Sequence, residues 1–142
     1  MCYLVLCSEE KVKKLGLKPL ARIVGSADAE IEPVDFSIAP NYSTKKVLEK
    51  TGLTIGAIDF FEFNEAFSVV CIANQSLLEI PSNKLNVHGG AVAMGHPIGM
   101  SGARLILSLL TTFKHKKGKY GLASICNGGG GSTAMIIENL QW

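Results

Sequence analysis

Three short stretches of this 142-residue chain bring together residue types that can move a proton or hold a developing negative charge. The first is FEFNEAF, where Asn64 stands at the point an apolar, strand-like run gives way to a helical pattern. Asparagine is a favoured helix N-cap, and this stretch taken alone favours a cap. The competing reading is an amide at the C-terminal edge of a strand, where α/β proteins place ligands, orienting a water or a substrate oxygen. The second stretch is HGGAVAMGHPIGMSG, residues 88 to 102, with five glycines around His96 and Pro97. Glycine lets backbone amides approach another group closely, and histidine is the usual proton carrier near neutral pH. A helix that follows directs its positive end toward the same space and favours an oxyanion there. A structural turn, with His96 bonded only to backbone, fits the spacing as well, and His88 is assigned no role. The third is SICNGGGGSTAM, in which Cys126 ends an apolar run and meets four consecutive glycines. Such a run can form a nest of amides aimed at a negative oxygen. A thiol that works as a base needs positive potential around it, and those amides could supply some. An inert buried thiol is the commoner fate of a cysteine in an apolar strand.

Positioning these residues requires strands that alternate with helices. CYLVLC reads as a short buried strand, after which Ser8 caps a small helix with Glu9 and Glu10 in its first turn. LARIVGSA is a second strand, and DAEIEPVDFSIAPNY, with two prolines and no period, is an irregular connection. Tyr42 to Lys50 suits an amphipathic helix with Val47 and Leu48 inward. AIDFFEF is a strand running straight into a helix that carries Phe67, Val70, Cys71, Asn74, Leu77 and Leu78 near helical spacing. KLNVHGGAVAMG gives a strand and then a loop. Met100 to Phe113 is apolar nearly all round, with Arg104 its one charge before the end, as expected of a helix buried on several sides. The last segment, KYGLASICNGGGGSTAMIIENL, reads as two strands joined at a glycine-rich corner. The pattern is that of an α/β layered domain.

Composition narrows the class. The chain is 47% hydrophobic and 18% charged, and 14 Lys+Arg against 12 Asp+Glu leave a net charge of +2. That balance gives no electrostatic case for nucleic acid. The lysines of KHKKGK suit a solvated helix C-terminus ended by Gly118. No run reaches the roughly 18–20 apolar residues of a membrane span, and MCYLVLCSEEK is a poor signal or transit peptide. Cysteines 2, 7, 71 and 126 form no C-x-x-C pair and no zinc spacing, and are expected to be reduced thiols of an intracellular protein. No phosphate loop is present, since the glycines of residues 128–131 lack both a closing Lys-Ser/Thr and the G-x-G-x-x-G spacing. The sequons NYS and NQS are expected to be chance matches.

In their order and spacing, NEAF, GGAVAMGHPIGMSGAR and CNGGGG resemble the C-terminal half of the thiolases, from about Tyr3 to Leu140. PVDFSIAPNY, GMSGAR and LASICNGGGG look most like the mitochondrial acetoacetyl-CoA branch of that family. The resemblance implies the thiolase C-terminal domain fold, a mixed sheet with helices on both faces. Residues 19–142 would form it, and residues 1–18 would be the remnant of the end of an N-terminal domain. It implies acetyl-CoA C-acetyltransferase chemistry on coenzyme A thioesters: condensation of two acetyl-CoA or cleavage of acetoacetyl-CoA. His96 would activate a nucleophilic thiol and donate to the thioester oxygen, and Asn64 would hold a water that supplies a second donor. Cys126 would move the α-proton, the Gly128 amide would join the oxyanion hole of the acyl-enzyme, and Phe67 would line the acyl pocket. The carbonyl of Val92 would help hold a potassium ion. The family's nucleophile stands in a C-x-S-G segment, and none occurs here, so the chain alone is expected to be inactive. The partners implied are an acyl-CoA, the missing N-terminal half, and thiolase subunits of a homo-oligomer, with no nucleic acid and no membrane. A mitochondrial setting follows from the resemblance, with the cytoplasm as the alternative. An apolar face and an unpaired sheet edge are expected to be exposed. The competing reading is a non-catalytic module that keeps the fold for binding or oligomerisation.

Overall fold

A computed structural model describes residues 2–141. Its first helix, α1 (Glu9–Leu15), is set by local chemistry. Ser8 accepts a hydrogen bond from Lys11 N–H at 3.2 Å, acids occupy the first turn, and Gly16 closes the helix at φ 61°. No residue of α1 is buried, so the cap acts without tertiary support. Ser8→Ala is therefore expected to cost α1 about 1 kcal/mol, read as faster amide exchange across residues 9–15.

The segment before α1 departs from expectation. Residues 2–7 form no strand, and Tyr3, Val5 and Leu6 are exposed. An extended apolar run becomes a strand only beside a partner edge, and no described strand pairs with it.

Four strands build the sheet: β1 (Ala21–Glu30), β2 (Phe60–Phe63), β3 (Tyr120–Cys126) and β4 (Gly131–Asn139). Their order is β1-β4-β3-β2, with β2 parallel to β3 and the other pairs antiparallel. β3 and β4 meet at the glycine corner as expected, and Cys126 pairs with Ser132 at its mouth. β1 extends through Asp28, Ala29 and Glu30, which the sequence reading assigned to an irregular connection, because its full length pairs with β4. A 3-10 turn over Pro33–Ile38 then leads into α2 (Ala39–Thr51), ended by Gly52 at φ 69°.

Alternation along the strands divides the core into two layers. Phe61, Phe63, Leu122, Ala134 and Ile136 pack with Val47 and Leu48 of α2 and with Cys71 of α3 (Ser68–Leu77). Phe60, Ala123 and Ile137 face the other way, onto Leu105, Leu109 and Phe113 of α5 (Ile98–His115). Helices thus cover both faces of a mixed sheet. α5 is longer than expected and buries one face: Ser101, Arg104, Leu105, Leu109, Thr112 and Phe113 point inward, while Ile98 is exposed. The strand expected over KLNV reduces to one bridge between Phe61 and Leu85, followed by Asn86 at φ 45°, which turns the chain away from the ladder. A short helix, α4 (Ala91–Met94), interrupts the loop beyond it.

Asn41 and Asn74, the asparagines of the two sequons, are buried, and Asn74 Nδ2 donates to Ser37 O and Val70 O at 2.7 Å each. No helix of the described residues is long and apolar enough to cross a membrane. Phe67, Val69 and Ile72 at and along α3 are exposed, which supplies the apolar surface expected.

Candidate active site

Asn64 follows β2 directly and still belongs to the sheet edge, its N–H donating to Ser124 O of β3 at 3.0 Å. The chain then makes a tight turn, Ala66 N–H to Asn64 O at 3.0 Å, and α3 begins only at Ser68 with Phe67 in the N-cap position. Asn64 therefore caps no helix. Its side chain is fully buried, with Oδ1 accepting from Arg104 Nη2 at 3.2 Å and Nδ2 lying 3.2 Å from His96 Nε2.

His96 reaches that point from the far side of a glycine turn. Gly95 adopts φ 86°, with open space where a Cβ would sit, so it is required there for its backbone conformation. Pro97 ends the turn and stands at the N-cap of α5. One turn into that helix, Ser101 lies with its Oγ 2.5 Å from His96 Nδ1 and 3.1 Å from Pro97 O. The imidazole is held at both nitrogens, by a strand end and by a helix.

At the glycine corner, Asn127 organises the loop. Its Oδ1 accepts from Gly129 N–H at 2.9 Å and from Gly131 N–H at 3.4 Å, and its carbonyl accepts from Gly130 N–H at 3.1 Å. Gly130, at φ 87°, passes so close to Ile31 that a Cβ would meet Ile31 O at 2.1 Å. The nest expected from four glycines thus narrows to one amide: only Gly128 N–H donates to nothing among the described residues. Cys126 precedes it, packed against Ala39 and Val70. Burial pushes its thiol up from the ordinary cysteine range, opposed only by a backbone hydrogen bond. Asn127 occupies the other amides of the loop, which leaves the Gly128 N–H in the same cavity as this thiol.

These pieces meet in one cavity of about 360 Å³, lined by His96, Ile98, Cys126, Asn127 and Gly128 among others. Asn64 stands behind His96 and supports it. Two further candidates lie elsewhere. Phe67 is largely exposed and meets Phe36 edge-to-face, with ring centroids 6.1 Å apart, outside the cavity lining. Val92 is exposed in α4, its N–H donating to Glu65 Oε2 at 2.9 Å. Glu65 Oε1 accepts from Asn86 Nδ2 at 3.2 Å, so the carboxylate beside Val92 is already engaged at both oxygens.

Three residues of the site escaped the sequence reading: Ser101, Arg104 and Glu62. Arg104 Nη1 donates to Glu62 Oε2 at 3.2 Å, and the pair is buried, 6% and 1% exposed. Glu62 Oε1 has no hydrogen-bond partner among the described residues. Burial lifts its carboxyl to about 8 against the opposing pull of the Arg104 guanidinium. A signal was available: FFEF and the α5 sequence each hold one charge inside an otherwise apolar run, and the charges are opposite.

The residues of the thiolase C-terminal domain family model match positions 17–139. The chain belongs to the thiolase family. Among curated thiolases, acetyl-CoA acetyltransferase IA of Candida tropicalis is 56% identical over 138 residues, covering 97% of this chain and 34% of that protein. The mitochondrial acetyl-CoA acetyltransferase of Bos taurus is 54% identical over 136 residues, covering 96% and 32%. A cytosolic acetyl-CoA acetyltransferase of Gibberella zeae is 50% identical over 137 residues, covering 96% and 35%. In the crystal structure of the Acat5 thiolase from Ascaris suum in complex with coenzyme A, 94% of this chain superposes on 34% of that one, with TM-score 0.87 and 42% identity. The chain spans about a third of the length of the thiolases it matches, which include both mitochondrial and cytosolic proteins.

Proposed function

We propose that this chain is the acid/base third of an acetyl-CoA acetyltransferase, supplying the groups that move the α-proton and stabilise the enolate of a coenzyme A thioester. The observation that carries the reading is the convergence of His96, Cys126 and the unoccupied Gly128 N–H on one cavity, with Asn64 bonded to His96 behind it. Removing a proton beside a thioester carbonyl is hard because the enolate oxygen must be stabilised as it forms. Preorganised donors in a site shielded from water are worth ~10²–10³ in rate each. His96 takes the proton of an attacking thiol and then donates to the thioester oxygen. Asn64 holds His96 and, through a water, adds a second donor. Cys126, kept protonated in the resting site by burial, returns a proton to carbon in cleavage and, once ionised, removes it in condensation. Gly128 N–H faces the acyl oxygen of the covalent intermediate.

Residues 1–18 are the end of the preceding domain in this reading; the family match begins at residue 17. Phe67 lies on the acyl side of the complete site, where residues of the other half would cover it. A potassium ion would require oxygen ligands from outside the chain besides the Val92 carbonyl. The setting is mitochondrial, with a homo-oligomeric full enzyme.

Because no C-x-S-G segment occurs in these 142 residues, the chain by itself is expected to form no acetoacetyl-CoA from acetyl-CoA. Mixed with a separately made N-terminal half of an acetyl-CoA acetyltransferase, it is expected to restore coenzyme A release from acetyl-CoA. Turnover by the chain alone overturns the division of labour. A mixture that associates without activity favours a binding or oligomerisation module.

A further inference from the structure

We propose that Arg104, itself held by Glu62, is the positioning residue that sets which way the Asn64 amide faces and thereby keeps the lone pair of His96 on Nε2. The argument starts from what each group can do. A guanidinium only donates hydrogen bonds, so the Asn64 atom facing Arg104 Nη2 at 3.2 Å is the carbonyl Oδ1. The amide is planar, so its NH2 then points the other way, at His96 Nε2, 3.2 Å distant. A nitrogen that receives that N–H carries a lone pair and no proton.

The far side of the ring fits the same tautomer. Ser101 has one hydroxyl proton, and it goes to Pro97 O at 3.1 Å. With that proton there, Ser101 Oγ accepts from His96 across 2.5 Å and the ring proton is on Nδ1. Both anchors then suit one protonation pattern, and the Arg104–Asn64 side is the one that imposes it.

Arg104 suits the task because its fork reaches two acceptors at once: Nη1 to Glu62 Oε2 and Nη2 to Asn64 Oδ1, each at 3.2 Å. Lysine, a single ammonium, does not reproduce that geometry. Asn64, Glu62 and Arg104 are all buried, so water does not compete for the amide, and the guanidinium decides its orientation. For chemistry the result is a histidine that enters the reaction as a base at Nε2, which rests on the thiolase reading given above. The tautomer rests on the geometry alone.

The test uses the chain labelled with ¹⁵N-histidine, its three histidines assigned by substitution, with NMR detection of the ring nitrogens. Wild type is expected to show a pyridine-like signal at His96 Nε2 and a pyrrole-like one at Nδ1. Asn64→Asp replaces the N–H donor with an acceptor and is expected to move the proton to Nε2, exchanging the two signals. Arg104→Lys is expected to shift both signals toward the average of the two tautomers. Glu62→Gln keeps an acceptor for Nη1 and is expected to retain the wild-type pattern. A wild-type proton on Nε2 overturns the proposal, as does a folded Arg104→Lys with the wild-type pattern. If Arg104→Lys does not fold, the Asn64→Asp exchange decides. Failure of the mixing assay with the expected tautomer present would remove the acid/base reading and leave the positioning role standing.

Discussion

Arg104→Ala is expected to destabilise the fold by about 3–5 kcal/mol, measured as a lowered urea midpoint at unchanged slope. The cost arises from what is left behind. Glu62 Oε2, in the middle of β2 and on a residue 1% exposed, and Asn64 Oδ1 both lose their donor, so two buried acceptors are left unsatisfied. Replacing both members of the pair, Glu62→Leu with Arg104→Met, is expected to recover most of the loss, since an apolar pair of similar volume avoids burying charge. The same site gives stability a pH dependence whose sign is fixed. Glu62 is raised from 4.5 to about 8, by burial first and by the nearby Glu65 charge to a lesser degree, with Arg104 opposing. The native state therefore holds a proton that the unfolded chain has released. Its contribution is complete below about 4.5 and is lost as pH rises through about 8, at up to about 1.4 kcal/mol per pH unit. Glu62→Gln is expected to flatten that decline. A wild-type and Glu62→Gln pair with parallel pH profiles would show that Glu62 does not titrate in this window.

Cys126→Ala, assayed in the mixture with the N-terminal half, is expected to lower the condensation rate by ~10²–10⁴, the usual worth of a positioned acid/base group. The proton-transfer step separates this role from a structural one. Exchange of the acetyl-CoA methyl protons with deuterated water is expected to fall by the same factor, while the first acyl transfer onto the nucleophile of the other half is retained. Burial pushes the Cys126 thiol up, so the wild-type condensation rate should climb as pH rises above neutrality. A Cys126→Ala variant that still exchanges methyl protons at the wild-type rate would remove Cys126 from the proton path.

Much of the architecture could be read from local chemistry. Ser8 and Gly16 bracket α1 within one short stretch, Val47 and Leu48 mark the inner face of α2, and the β3–β4 corner is written in consecutive residues. The failures share a cause: they depended on neighbours far along the chain. CYLVLC has strand composition without a partner edge, and KLNV meets the sheet at a single bridge before Asn86 turns it away. Asn64 has the composition of a cap, yet the helix starts four residues later because the chain first completes its turn off the sheet. The motifs located His96, Cys126 and Gly128 because each is embedded in its own distinctive stretch. Glu62 and Arg104 are 42 residues apart and lie in runs that look like ordinary core. The selective use of the glycine corner was equally hidden, since four identical residues do not show which amide Asn127 leaves free.

Ser101 and Arg104 lie one turn apart on the same face of α5, where residues three positions apart are neighbours. One holds the ring of His96 and the other the amide of Asn64. Both supports of the Asn64–His96 contact are thus mounted on a single rigid rod. A slide of that rod against the sheet would carry the two supports together, so one helix sets both the ring and the amide that faces it.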